Sequence, residues 1–282
     1  FMTAFLAFMV SGTFAATIYY LKVPGFIIIL ALAGFVYWKN HTHHKTRVSE
    51  SQEDKVFNLK KVTNREDTIS TTYEHIGYLI REIRKSLNNT IPALGSYNEY
   101  ILYKERKRTR KIQHWANIII ANIFKSLRLL QMEKADITYR YPAIARQLQK
   151  LADGHRDIVT RAYRHVDNNH SGLLDVQIDE LNEIQNSVDQ ILEAVQMAMT
   201  GERELNSDRI AQLNKSVRKR AEALNAQQVE RIRQGESKTR LSILFYSLVG
   251  NSLMVSKQTM KLLRILQESF SDVAIQPDED FE

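Results

Sequence analysis

A chain of 282 residues, 44% hydrophobic and 25% charged, has globular composition and room for a membrane segment beside one or two packed cores. Cysteine is absent, which excludes disulfides, thiolate metal sites and cysteine nucleophiles, and 4 Pro with 10 Gly favour long helices. The net charge of +7 is uneven: residues 39–65 carry seven Lys/Arg against three acids, and KERKRTRK over 104–111 carries six against one. A nucleic-acid binder would show a wider basic face with interleaved aromatics, so this pattern excludes nucleic acid as the expected partner and suits an anionic lipid surface.

FMTAFLAFMVSGTFAATIYYL, residues 1–21, holds no charged residue, and about 20 residues in helix cross a bilayer core. After LKVPG a shorter run follows, FIIILALAGFVYW over 26–38, with Pro24 suited to a first helical turn. Tyr19, Tyr20, Tyr37 and Trp38 stand where interfacial aromatics belong. A signal peptide would need a basic flank before the run and a small-residue cleavage site after it, and neither is present. Two membrane helices over 1–38 are expected, with a buried soluble hairpin as the alternative. Lys22 alone marks the connection while seven Lys/Arg follow the second run, which places everything after residue 39 in the cytoplasm. The opening in mid-span on Phe1 suggests the tail of a longer membrane protein.

Residues 39–67 are polar with little periodicity and read as a basic juxtamembrane linker. Helical spacing then sets in with Ile69, Tyr73, Ile76, Ile80, Ile83 and Leu87, up to a break expected around Pro92. A second helix is predicted from about residue 95 to 131, through the basic run, which wraps all helix faces and so is expected to stay out of a core. A third begins near Tyr139, with Pro142 in its first turn, and runs toward His165. The fourth places Leu174, Ile178, Leu181, Ile184, Val188, Ile191 and Val195 on one face and ends near Gly201. The fifth carries Ile210, Leu213, Val217, Leu224 and Ile232, capped by Asn206 or Ser207, with Gly235 beyond. The sixth carries Leu241, Leu244, Phe245, Leu248, Val255, Leu262, Leu266 and Phe270, and the acidic tail over 276–282 is expected to be disordered. The fold class is therefore all-α: two membrane helices, then a six-helix cytoplasmic region over 68–275 built as a pair of antiparallel three-helix bundles.

DNNHSGLLD, residues 167–175, begins as a calcium loop does, with oxygen donors at Asp167, Asn169 and Ser171 and a turn glycine at Gly172. The twelfth position from Asp167 is Ile178, where a bidentate glutamate should close the cage, and Asp179 lies one helical step away. The stretch reads instead as a hinge with capped helix ends. His155, His165 and His170 with Asp153 and Asp157 invite a metal cluster, but solvated carboxylates with Arg156 and Arg161 near enough for salt bridges are the expected arrangement. The triplet His41, His43 and His44 reads as a solvated juxtamembrane cluster. No glycine-rich phosphate loop, nucleophile elbow or HExxH occurs. The sequence carries no enzyme signal, and no catalytic, cofactor or metal residue is assigned.

The opening FMTAFLAFMVSGTFAATIYY resembles a late membrane helix of PiT-type inorganic phosphate transporters, with Phe1, Thr3, Ala4, Ala7 and Phe8 matching. WANIIIANIFKSLRLL, HVDNNHSGLLDVQIDEL and QQVERIRQGESKTRLSILFYSLVGNS resemble the long cytoplasmic extension of such transporters in the Bacteroides group, itself similar to PhoU-type regulators. The resemblance implies the C-terminal part of a secondary phosphate transporter whose helical domain regulates transport. The resemblance implies the upstream membrane domain as partner, in the bacterial inner membrane; the charge pattern adds anionic lipid near 39–65 and 104–111, and a second copy of the chain in a homodimer is a further expected partner. The family's Gly-Ala-Asn-Asp-type motifs are absent, so no transport residue carries over. The Glu/Asp-x-x-x-Asp metal spacing of PhoU-type proteins is met by Asp153/Asp157, Asp175/Asp179 and Glu268/Asp272, but these do not form multi-carboxylate runs. The alternatives are a membrane-anchored helical signalling module and a calcium-binding helical protein.

Overall fold

The computed structural model describes residues 2–54, 65–130, 140–201 and 206–270. Among the described residues there are seven helices and no strand: α1 (Met2–Asp54), α2 (Arg65–Gly95), α3 (Glu99–Leu130), α4 (Arg140–Asp167), α5 (Asp175–Met199), α6 (Ser207–Arg233) and α7 (Thr239–Phe270). The chain divides into two compact units, Phe1–Asn58 and Leu59–Glu282.

In the first unit α1 is two helices joined at Lys22, whose φ of 50° and ψ of −125° leave the helical region. Pro24 follows and supplies no backbone donor to continue the ladder. A Cβ on Gly25 would meet the Thr17 carbonyl oxygen at 2.5 Å, although eight residues of continuous helix would separate them by about 12 Å. The chain therefore turns back on itself at Lys22, and only glycine allows that approach. Where the sequence led to two membrane helices, one stretch of the described residues, Ser11–Phe35, is long and apolar enough to cross a membrane, and it runs through this bend. Its side chains face outward, with Tyr19 77% and Tyr20 81% exposed. The linker expected over 39–67 is helical at both ends: α1 continues to Asp54 and α2 starts at Arg65, with 55–64 outside the described residues. Residues 39–54 contain neither Pro nor Gly, so nothing stops the helix there.

In the second unit each helix buries one stripe. α2 packs against α3, α4 and α5; α4 packs against α3 and α7; α5, α6 and α7 pack against one another. The side-chain pairs give the directions. Asn89 meets Glu105 and Tyr78 meets Trp115, so α2 and α3 run antiparallel. Gln113 meets Asp153, reversing the chain again into α4. Gln177 meets Gln228 while Glu183 meets Arg220, and Asn214 meets Ser256 while Ser207 meets Gln267, so α5, α6 and α7 also alternate. Ile76, Ile80, Ile83 and Leu87 of α2 are fully buried, as are Ile184, Val188 and Ile191 of α5 and Phe245, Leu248 and Leu262 of α7. Each such side chain contributes about 1.5–3 kcal/mol by leaving water.

Several boundaries differ from expectation. α2 passes through Pro92 to Gly95, because a proline in the last turn removes only one helical hydrogen bond. Ile232 is 44% and Leu174 37% exposed, since both lie at helix ends beyond the packed stripe. The basic run is not solvated all round: Glu105 and Thr109 are buried, and Glu105 accepts from Asn89 and Arg108. Asn206, one of the two expected caps, accepts from the Arg209 N–H at 2.9 Å. The acidic tail, Phe270's side chain and Ile69's side chain lie outside the described residues.

Candidate functional site

The joint between α4 and α5 is where most of the unusual backbone and polar geometry gathers. Asn169 has a φ of 51°, which asparagine tolerates better than most residues. Its N–H donates to the Val166 carbonyl at 2.9 Å and the next N–H, of His170, to the His165 carbonyl at 3.2 Å. These are the paired bonds of a Schellman helix end. The same motif closes α2 with Tyr97 at φ 53°, a conformation costly for a bulky side chain. The Tyr97 ring lies over Gly172, where an added Cβ would sit 3.4 Å away.

Tyr97 spans the joint. Its hydroxyl donates to the His170 carbonyl at 2.8 Å and lies 3.1 Å from His165 Nε2. His165 Nε2 also lies 3.1 Å from the Ser171 carbonyl, which only accepts, so the proton of the neutral ring is on Nε2. Burial lowers the His165 pKa, opposed by the Ser171 bond and assisted by His170 and Arg240. Asp167, the first of the calcium-loop donors, accepts instead from the Tyr163 hydroxyl at 2.8 Å. Ile178 packs against Gly95, whose added Cβ would stand 2.8 Å from the Ile178 Cγ2. The stretch is a capped joint clamped by Tyr97.

Beside the joint, α4 and the start of α7 frame a cleft of about 300 Å³ lined by Asp157, Arg161, Arg164, His165, His170 and Arg240. Arg240 donates to His170 Nδ1 at 3.2 Å. Asp157 is held by Arg156 at 3.2 Å.

The other residues weighed for metals are dispersed. Asp153 accepts from Gln113 and Arg156, Glu268 pairs with Arg264, and Asp272 lies outside the described residues. His155 is fully buried in the core with Nε2 2.8 Å from Ser86 Oγ, and burial pulls its pKa down to about 3. The side chains of His41, His43 and His44 lie outside the described residues. Among the described residues no group of three or more His, Asp or Glu is placed to hold a metal ion.

Two polar seams escaped the sequence reading. Arg84 of α2 reaches Asp189, Glu193 and Gln196 of α5, and Asn88 adds a bond to Asp189 at 2.8 Å. Gln228, fully buried, donates to Ser237 and Ser242 and accepts from Gln177 and Arg231. Gln177 in turn accepts from the Leu174 N–H, so one amide chain ties the starts of α5 and α7 to α6. Periodicity finds apolar stripes, and polar residues at core positions carry no such signal; buried glutamines at three-four spacing were the only available hint.

The fold and this joint define an all-α protein of PhoU-like architecture. The chain is similar to the crystal structure of PhoU from Pseudomonas aeruginosa, with a TM-score of 0.59 and 12% identity, over 74% of this chain and 99% of that one. No protein-family model and no curated protein matches the sequence.

Proposed function

We propose that this chain is a membrane-anchored, PhoU-like regulatory module of a phosphate transport system, and that it forms the C-terminal part of a PiT-type transporter. The observation that carries the reading is the likeness to an entire PhoU chain, coupled in one polypeptide to an outward-facing apolar segment. In this reading α2–α4 and α5–α7 form a pair of antiparallel three-helix bundles, and the arms of α1 on either side of Lys22 sit in the inner membrane with the bundles in the cytoplasm. Outward-facing apolar helices, such as the two arms of Ser11–Phe35 on either side of Lys22, are stable only against lipid or a protein partner. The match of Phe1, Thr3, Ala4, Ala7 and Phe8 to a late transporter helix supports the transporter context.

The surface of α3 supports a lipid contact. Lys104 lies over Tyr100 and Lys107 over Tyr103, at 4.3 and 4.4 Å from the ring centres, and both tyrosines are exposed. Alternating ammonium groups and phenol rings match the headgroup layer of an anionic membrane. The bundles then control transport by docking on the membrane surface or on the membrane domain. Phosphate uptake by cells carrying the full-length gene, with and without residues 68–282, tests the proposal. A changed uptake rate on deletion is expected, and a full-length protein that moves no phosphate sinks it.

A further inference from the structure

The cleft between α4 and the start of α7 concentrates positive charge that the protein does not neutralise. Three guanidinium groups, Arg161, Arg164 and Arg240, line it against one carboxylate, Asp157, which Arg156 already engages at 3.2 Å. Among the described residues none of the three pairs with a carboxylate, in contrast to Arg84, Arg108, Arg156, Arg220 and Arg231. Arg240 has a histidine nitrogen as its partner. Gathering like charges around one concavity is unfavourable in the empty state, and a bound anion reverses the sign of that contribution.

The neutral lining is also rich in donors. Thr160 offers a hydroxyl and Asn168 an amide. His170 accepts from Arg240 through Nδ1, which leaves its proton on Nε2. Ile243 and Leu244 add apolar surface to one wall. Arg240 stands in the first turn of α7, where the helix dipole adds to the positive field. Guanidinium forks match tetrahedral oxyanions in a bidentate way that ammonium groups do not.

We propose that this cleft binds a phosphoryl group, with Arg161, Arg164 and Arg240 as the charged ligands and Thr160 and Asn168 as orienting donors. The group comes either from a free phosphate species or from a lipid headgroup, and 300 Å³ accommodates either. The site lies directly against the His165–Tyr97–His170 joint, so an anion drawing on Arg240 alters the field at His170 and the clamp that Tyr97 completes. This inference is independent of the transporter reading: a chain that moves no phosphate would leave it intact.

The test is equilibrium binding to the detergent-solubilised full chain, using three probes: orthophosphate, pyrophosphate and water-soluble dihexanoyl phosphatidic acid. Arg164→Gln and Arg240→Gln are compared with Arg233→Gln, a variant of an exposed residue outside the cleft, and helical content by circular dichroism checks that each is folded. Each cleft substitution is expected to weaken binding about tenfold while Arg233→Gln leaves it unchanged. Loss confined to the two inorganic probes assigns a free anion, and loss confined to the lipid probe assigns a headgroup. Absence of saturable binding by all three, or binding that both cleft variants retain in full, overturns the proposal.

Discussion

Arg84 grips Asp189 along two parallel bonds, Nε to Oδ1 and Nη2 to Oδ2, both 2.9 Å. Burial alone would raise the Asp189 carboxyl pKa, but the bonds from Arg84 and Asn88 outweigh it and leave it lowered; the same pair raises that of Arg84. With both side chains about one-fifth exposed, the pair is intermediate between a surface and a buried ion pair. Arg84→Met is expected to destabilise the second unit by about 2 kcal/mol, because it strands Asp189 beside Glu193. Arg84→Met/Asp189→Leu should recover at least half of that loss, measured by urea unfolding as a double-mutant cycle. Additive losses would show that the two side chains are not coupled.

His155 predicts an acid sensitivity that resides in the core. Its folded pKa of about 3 lies below the ordinary histidine value of 6.5, so between those values the unfolded chain holds a proton that the folded chain refuses. Stability is full above about pH 6.5 and falls by up to about 1.4 kcal/mol per unit as the pH drops toward 3. His155→Leu should flatten that slope while lowering stability at pH 7 by about 1 kcal/mol, through the loss of the Ser86 partner. Unfolding midpoints at pH 7, 6 and 5 give the comparison, and an unchanged slope in the variant removes His155 as the cause.

Tyr97 combines a strained backbone with two useful contacts. Tyr97→Phe keeps the strain and loses the hydroxyl bonds to His170 and His165, with an expected cost of about 1–2 kcal/mol. Tyr97→Gly relaxes the left-handed turn but removes ring and hydroxyl together. Hydrogen exchange of residues 168–174 should quicken in both variants more than exchange in α5. Equal protection in wild type and Tyr97→Phe would mean that the hydroxyl does not hold the joint.

Gln228 uses its amide fully, with two bonds given and two accepted. Gln228→Leu leaves Ser237, Ser242 and Gln177 without their partner in a buried site, and a loss of about 2–4 kcal/mol is expected. Thermal unfolding followed at 222 nm measures it; a loss under 0.5 kcal/mol, well below the roughly 1 kcal/mol net worth of a single hydrogen bond, would show that water replaces the network.

On the lipid surface, Lys104→Gln/Lys107→Gln should weaken binding of residues 59–282 to phosphatidylglycerol vesicles by about tenfold or more, at about 1 kcal/mol per charge. High salt should have the same effect on the wild type. Vesicle binding indifferent to both would place the contact elsewhere.

The helices after residue 68 were legible because their apolar stripes are long and continue through isolated interior glycines such as Gly77, Gly154 and Gly250. Val188 and Ile191 are buried where the three-four repeat puts them. The end of α2 was misplaced because Pro92 was weighed as a break, although a last-turn proline deletes one bond and Tyr97 performs the real ending. The joint at 167–175 was legible as a turn from Asn, Gly and the misplaced Ile178, but not in its caps: Asn169 ends α4 in the left-handed region, whereas α5 starts at Leu174 with no Asn or Ser side chain capping it. Tyr97, seventy residues away, could not be paired with it, since nothing local in the sequence marks a left-handed tyrosine. The cleft was invisible for a similar reason: Arg161 and Arg164 look like ordinary surface cations until the fold brings Arg240 opposite them.

The acceptors that Arg84 uses on α5 recur about once per turn, at Asp189, Glu193 and Gln196, with Gln185 one turn further on and bonded to Asn88. That ladder makes the meeting of α2 and α5 a notched rail. In this register Arg84 holds three acceptors at once; a slide of one turn, about 5.4 Å, would set the Gln185 amide where the Asp189 carboxylate now takes the bidentate grip. Sliding α2 along α5 therefore costs that grip, which fixes the register of the two helices.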